Sequence, residues 1–102
     1  MVSAEWPIAD ERLLQDILDL LPFSREELFI KGAATAITER MFEIKRAEAQ
    51  LGERYRSPQQ LERRIKAEGV SPDDHTLYSD LLQWRAMRHE MTELLCLLET
   101  LQ

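Results

Sequence analysis

A single cysteine, Cys96, leaves the chain unable to close an internal disulfide and points to a reducing compartment. Glycine is scarce, at three residues, and no glycine-rich loop is present to cradle a phosphate. The small glycine and proline content also excludes a low-complexity chain. Long apolar runs are missing. The leucine-rich run Leu94 to Leu98 falls far short of the roughly 20 residues a membrane span needs. Glu5 and Asp10 stand where a signal peptide would need its apolar segment. No membrane association is expected, and the expected location is the cytoplasm. What remains is a chain of 102 residues, 44% hydrophobic and 31% charged, enough for one domain and no second.

The net charge of −6 is spread unevenly. Residues 1–38 carry seven acids and three bases, residues 39–68 six acids and eight bases, and residues 69–102 six acids and two bases. An acidic chain is repelled by phosphate backbones unless its bases cluster. Arg54, Arg56, Arg63, Arg64 and Lys66 are the densest bases, and they read as a solvated helix surface. Nucleic acid is not an expected partner.

Start and stop signals predict four helices, over 9–21, 25–55, 58–68 and 72–101. Leu13, Leu14, Ile17, Leu18 and Leu21 recur at three- and four-residue steps, and Pro22 stops the first helix. Ser24 with Glu27 reads as a capping box, each side chain accepting from the other residue's backbone N–H. Ile30, Ala34, Ile37, Met41, Ile44, Leu51 and Tyr55 carry the second helix onward. Ser57-Pro58-Gln59-Gln60 is the next start, and Gly69 the next stop. Ser71-Pro72 repeats the start, with Asp73 and Asp74 at the positive end of the last helix.

Two long helices joined by a short one predict an all-α, coiled-coil-like antiparallel hairpin. The N-terminal helix would be an additional element of a small bundle, and the short connecting helix would cap one end. On the last helix the seam would be Leu77, Leu81, Trp84, Met91, Leu95 and Leu98, with Arg88 interrupting it. Laid antiparallel, Arg88 falls opposite Glu43 to Glu48, where a buried arginine would find its partner. Cys96, inside the leucine run, would be an inert core thiol.

Some large side chains fall off these seams. Phe42, with Thr38 and Ala49, does so on the second helix, and Tyr78 and Leu82 do so on the last. They are either ordinary partly exposed surface or one patch for self-association or a partner. The patch predicts a homodimer with a two-fold contact. The candidate partner-binding residues are Phe42, Tyr55, Tyr78, Leu82, Trp84, Arg85 and Arg88, aromatic and arginine anchors of the kind that dominate interfaces. Tyr55 and Trp84 serve equally as hairpin core, the stronger reading for those two.

Sites for chemistry are thin, and no catalytic, cofactor or metal site is assigned. His89 and Glu93 share a helix face but lack a Glu-x-x-His partner motif on a second helix. Glu39 and Glu43 could bind magnesium, as in all-helical nucleotide pyrophosphatases, yet beside Arg40, Lys45 and Arg46 they read as an ordinary charged face. Ser24, Ser57 and Ser71 are explained as caps. Residues 61–81 imitate a helix-turn-helix, but Asp73 and Asp74 would open its recognition helix and repel phosphate. The reading is a non-enzymatic helical interaction module. The alternative is a small metal-dependent helical enzyme built on Glu39, Glu43, His89 and Glu93.

From about Arg40 onward the pattern is Arg54-Tyr55 ending a long helix, Ser57 and Leu61 on a short one, Gly69, acidic Asp73-Asp74 and Asp80, then Trp84, Met91, Leu95 and Leu98. This stretch resembles small helical antitoxin-like proteins of archaeal and bacterial toxin–antitoxin pairs. Arg56 stands where that pattern commonly has glycine, and residues 1–38 have no counterpart in it. The resemblance implies a partner protein covered sterically by the hairpin.

Overall fold

The fold is seen in a computed structural model that describes residues 11–69 and 75–102. Every regular element among them is helical: α1 (Glu11–Leu20), α2 (Arg25–Tyr55), α3 (Pro58–Glu68) and α4 (Thr76–Leu101). No helix among the described residues is long and apolar enough to cross a membrane. The chain divides into two compact units, Met1–Ala34 and Thr35–Gln102, and α2 contributes to both.

In the first unit, the capping box sets where α2 begins. The Glu27 N–H donates to Ser24 Oγ at 3.0 Å, and the Ser24 N–H donates to Glu27 Oε1 at 2.9 Å. Those bonds from Ser24 hold the Glu27 carboxyl below its ordinary pKa. Arg25 pairs with Glu11 at 2.8 Å, and the Lys31 ammonium stands 4.8 Å from the Phe23 ring centre. The expected apolar stripe of α1 is present, but α1 has no buried side chain, and Leu13 and Leu21 remain exposed. The expected start of this helix at residue 9 lies outside the described residues.

In the second unit, cross-helix contacts fix the direction and register of α2 against α4. Arg40 forms a two-pronged bond to Glu90 at 2.6 and 2.9 Å, Glu48 is 3.9 Å from Arg88, and the Tyr55 hydroxyl donates to Asp80 at 2.5 Å. Partners on α4 descend as positions on α2 rise, so the two helices run antiparallel. Between them Ile44 and Leu51 pack with Leu81, Trp84 and Met87. Leu61 joins this core from α3 and is completely buried. α3 starts where Ser57 Oγ accepts from the Gln60 N–H at 3.1 Å, with Pro58 in the first turn. Glu62 on α3 bonds Arg85 on α4 at 2.7 Å.

Several details differ from the sequence expectation. The seam of α4 runs through Met87 rather than Arg88, whose side chain is exposed, so Glu48 is not answering a buried arginine. It runs through half-buried Leu94 rather than Leu95, which is 43% exposed. Cys96 is exposed, not a core thiol. The described start of α4 is Thr76, after a His75 cap that makes no side-chain hydrogen bond. Ser71, Pro72, Asp73 and Asp74 lie outside the described residues.

The connection from α2 to α3 turns on Arg56, which has φ 75°, the left-handed region that disfavours side chains with a Cβ. The Arg56 N–H still donates to the Gly52 carbonyl at 2.8 Å, closing α2. Arg56→Gly should therefore raise stability by about 1 kcal/mol. A rise in the urea midpoint at constant slope would show it, and an unchanged or lower midpoint would refute it.

Candidate functional site

The seven residues proposed as partner anchors do not form one site. Trp84 is only 3% exposed and belongs to the core. Tyr55 is half-buried against that core, and its hydroxyl is held by Asp80. That bond, reinforced by partial burial, raises the phenol's pKa above its ordinary value. Arg85 is engaged by Glu62, and Arg88 lies near Glu48. Phe42, Tyr78 and Leu82 are the large apolar side chains of the seven left exposed, at 55%, 45% and 47%.

These three are separated along the hairpin. Phe42 lies beside Leu98, with which it lines a common hollow, whereas Tyr78 and Leu82 lie near the level of Asp80 and Tyr55. Tyr78 and Leu98 are twenty residues apart on α4, roughly 30 Å at the helical rise. The expected single patch is therefore two separate surfaces.

The Phe42 surface has the more definite shape. Thr38, Met41, Phe42 and Lys45 of α2, with Leu98 of α4, line a shallow hollow of about 180 Å³. Around it α2 turns one face outward, carrying Thr35, Thr38, Glu39, Phe42, Lys45, Arg46 and Ala49, all exposed. Phe42 is 55% exposed on this face, with Arg46 one turn further along it. Glu39 and Lys45 make no ion pair among the described residues. The same stretch of helix uses Arg40 and Glu43 differently. Arg40 is 3.4 Å from Glu43 and bonded to Glu90, whose carboxyl it holds below the ordinary pKa.

A second hollow, of about 220 Å³, sits at the α2–α3 corner and is lined by Arg54, Tyr55, Arg56, Gln60, Leu61 and Arg64. Two of its arginines are engaged: Arg54 is 3.6 Å from Asp80, and Arg64 is 2.9 Å from Glu68. The Arg64 guanidinium lies 6.0 Å from the Tyr55 ring centre, stacking charge over the aromatic face. The basic segment thus reads mainly as structural pairing around the corner.

The residues of the metal-enzyme alternative are not gathered. His89 and Glu93 pair with each other at 3.3 Å on an exposed turn of α4, and Glu43 is within 3.4 Å of Arg40. Among the described residues no group of three or more His, Cys, Asp or Glu is placed to hold a metal ion.

Sequence reasoning missed that Met41 and Leu98, read as parts of the helix seams, would line a hollow with Phe42. Compared with models of protein families, with curated proteins and with solved structures, the chain matches none.

Proposed function

We propose that this chain is a non-enzymatic helical interaction module of the cytoplasm, which works by presenting the outer face of its hairpin to another protein. The observation that carries this reading is Phe42. A large aromatic side chain stands more than half exposed on a well-paired helix, at the edge of an apolar hollow shared with Met41 and Leu98. Burying a phenylalanine against a partner contributes about 2 kcal/mol, enough to anchor an interface. The hairpin is cross-tied by Arg40–Glu90 and Tyr55–Asp80, so little ordering remains to be done on binding. Such a rigid rod suits steric cover of a partner's working surface. The likeness of residues 40–102 to antitoxins names one class of protein that works this way.

The test is a photo-crosslinking residue placed at position 42 in the expressed protein, with position 92 as the control. The expected result is a covalent adduct to a defined protein chain, resolved by mass, from position 42 and not from 92. Thr92 is exposed on α4, outside the hollow. No adduct at position 42, or equal adducts from both, would overturn the reading. Magnesium and manganese titrations separate the enzyme alternative, because a bound metal would raise the melting temperature.

A further inference from the structure

We infer that the hollow at the α2–α3 corner binds a single phosphate group, free or as the monoester of a small molecule. The inference concerns a surface apart from Phe42 and does not depend on the interaction-module reading. Arg54, Arg56 and Arg64 all line this hollow of about 220 Å³, with Tyr55, Gln60 and Leu61. Like charges gathered in a concave site focus its field on an anion. Pairing within the fold answers the three unequally. Arg64 uses only its Nε donor on Glu68, at 2.9 Å, which leaves its two terminal nitrogens. Arg54 approaches Asp80 at 3.6 Å, too long for a hydrogen bond. Arg56 is exposed and makes no ion pair among the described residues. It is also the strained residue of the turn. At φ 75° a glycine would carry the chain around the same corner without strain, so the turn itself has no need of the arginine side chain.

The donor set selects the ligand. A carboxylate has two oxygens and one charge, which a single guanidinium fork satisfies. A phosphate monoester has about two charges and three terminal oxygens, enough to accept from three forks at once. The Gln60 N–H is already bonded to Ser57 Oγ at 3.1 Å, so the donors are side chains and not this backbone amide of α3. A long polyanion is disfavoured by the net charge of −6, by Glu53 next to Arg54 and by Glu68 on Arg64.

Calorimetric titration of the full chain with inorganic phosphate and with phenyl phosphate, at low ionic strength, tests this. One equivalent of at least one of them should bind, with a dissociation constant of about 1 mM or lower. Phenyl phosphate binding as tightly as inorganic phosphate or more so assigns the site to monoesters, and weaker binding assigns it to the free ion. Benzoate should bind at least about tenfold more weakly than the better phosphate. Arg56→Gly should weaken phosphate binding about tenfold while its urea midpoint rises, which separates lost affinity from a lost fold. Arg64→Lys should also weaken it, because an ammonium keeps the charge and loses the fork. Arg63→Gln removes an equal charge outside the hollow and should bind as the parent does. No saturable binding of either phosphate, or equal weakening by Arg63→Gln and Arg56→Gly, overturns the inference. Binding of an RNA oligomer without binding of either small phosphate overturns it too.

Discussion

Trp84→Ala should cost about 4 kcal/mol, whereas Trp84→Phe should cost about 1 kcal/mol or less. The contrast follows from two facts about one side chain. Trp84 is nearly fully buried between the long helices and the short one, packed with Ile44, Leu51, Leu61 and Leu81. Its Nε1–H is also buried and finds no hydrogen-bond partner among the described residues. Alanine leaves a cavity in a core that, among the described residues, has six buried apolar side chains, with few neighbours able to fill it. Phenylalanine keeps most of the apolar contact and removes an unsatisfied donor. Domains of this size are stable by only about 5–10 kcal/mol, so the alanine protein should be marginal at 25 °C. Urea melts of the three proteins decide the matter. Equal losses for alanine and phenylalanine would mean that the indole N–H is bonded.

Leu61→Ala should cost about 3 kcal/mol, and the loss should be local. α3 has eleven residues, too few for a stable isolated helix in water. Only Pro58 and Leu61 of that helix are buried, with Ile65 packing at the edge of the core. The exposed Glu62–Arg85 pair adds little in water. Without the Leu61 side chain, α3 should detach while α2 and α4 stay paired through Arg40–Glu90 and Ile44. Amide exchange should then accelerate over residues 62–68 and stay slow around Ile44. Uniform acceleration across the hairpin would contradict this order of stability.

The parts of the fold legible in the sequence were those written in local hydrogen bonds. Ser24 with Glu27, and Ser57 with Pro58, mark helix starts because their partners lie within three residues. The bounds of α2 and α3 agree with those signals. The seam of α4 was harder to read. Met87 and Arg88 are neighbours 100° apart on the helix, and Leu94 and Leu95 are another such pair. A straight helix drifts by about 20° per heptad relative to its partner, so the inward residue shifts from one neighbour to the next along the seam. The run Leu94 to Leu98 carries almost no periodicity, which is why the exposure of Cys96 could not be read from it.

The candidate site was legible in its members and not in its geometry. Phe42, Tyr78 and Leu82 were all visible as side chains off the main seams, and all are exposed. Whether they share a surface depends on the register of α2 against α4, which is set by contacts fifty residues apart such as Arg40–Glu90. Periodicity gives the face of a residue and says nothing of the level at which the facing helix meets it. Once the register places Phe42 beside Leu98, Tyr78 falls far down the rod.

The central claim is that α2 presents its exposed Phe42 face to another protein. Photo-crosslinking from position 42, with exposed position 92 as the control, tests it most directly. An adduct of defined mass from position 42 and none from position 92 is the predicted result. No adduct from position 42, or equal adducts from both positions, would contradict it.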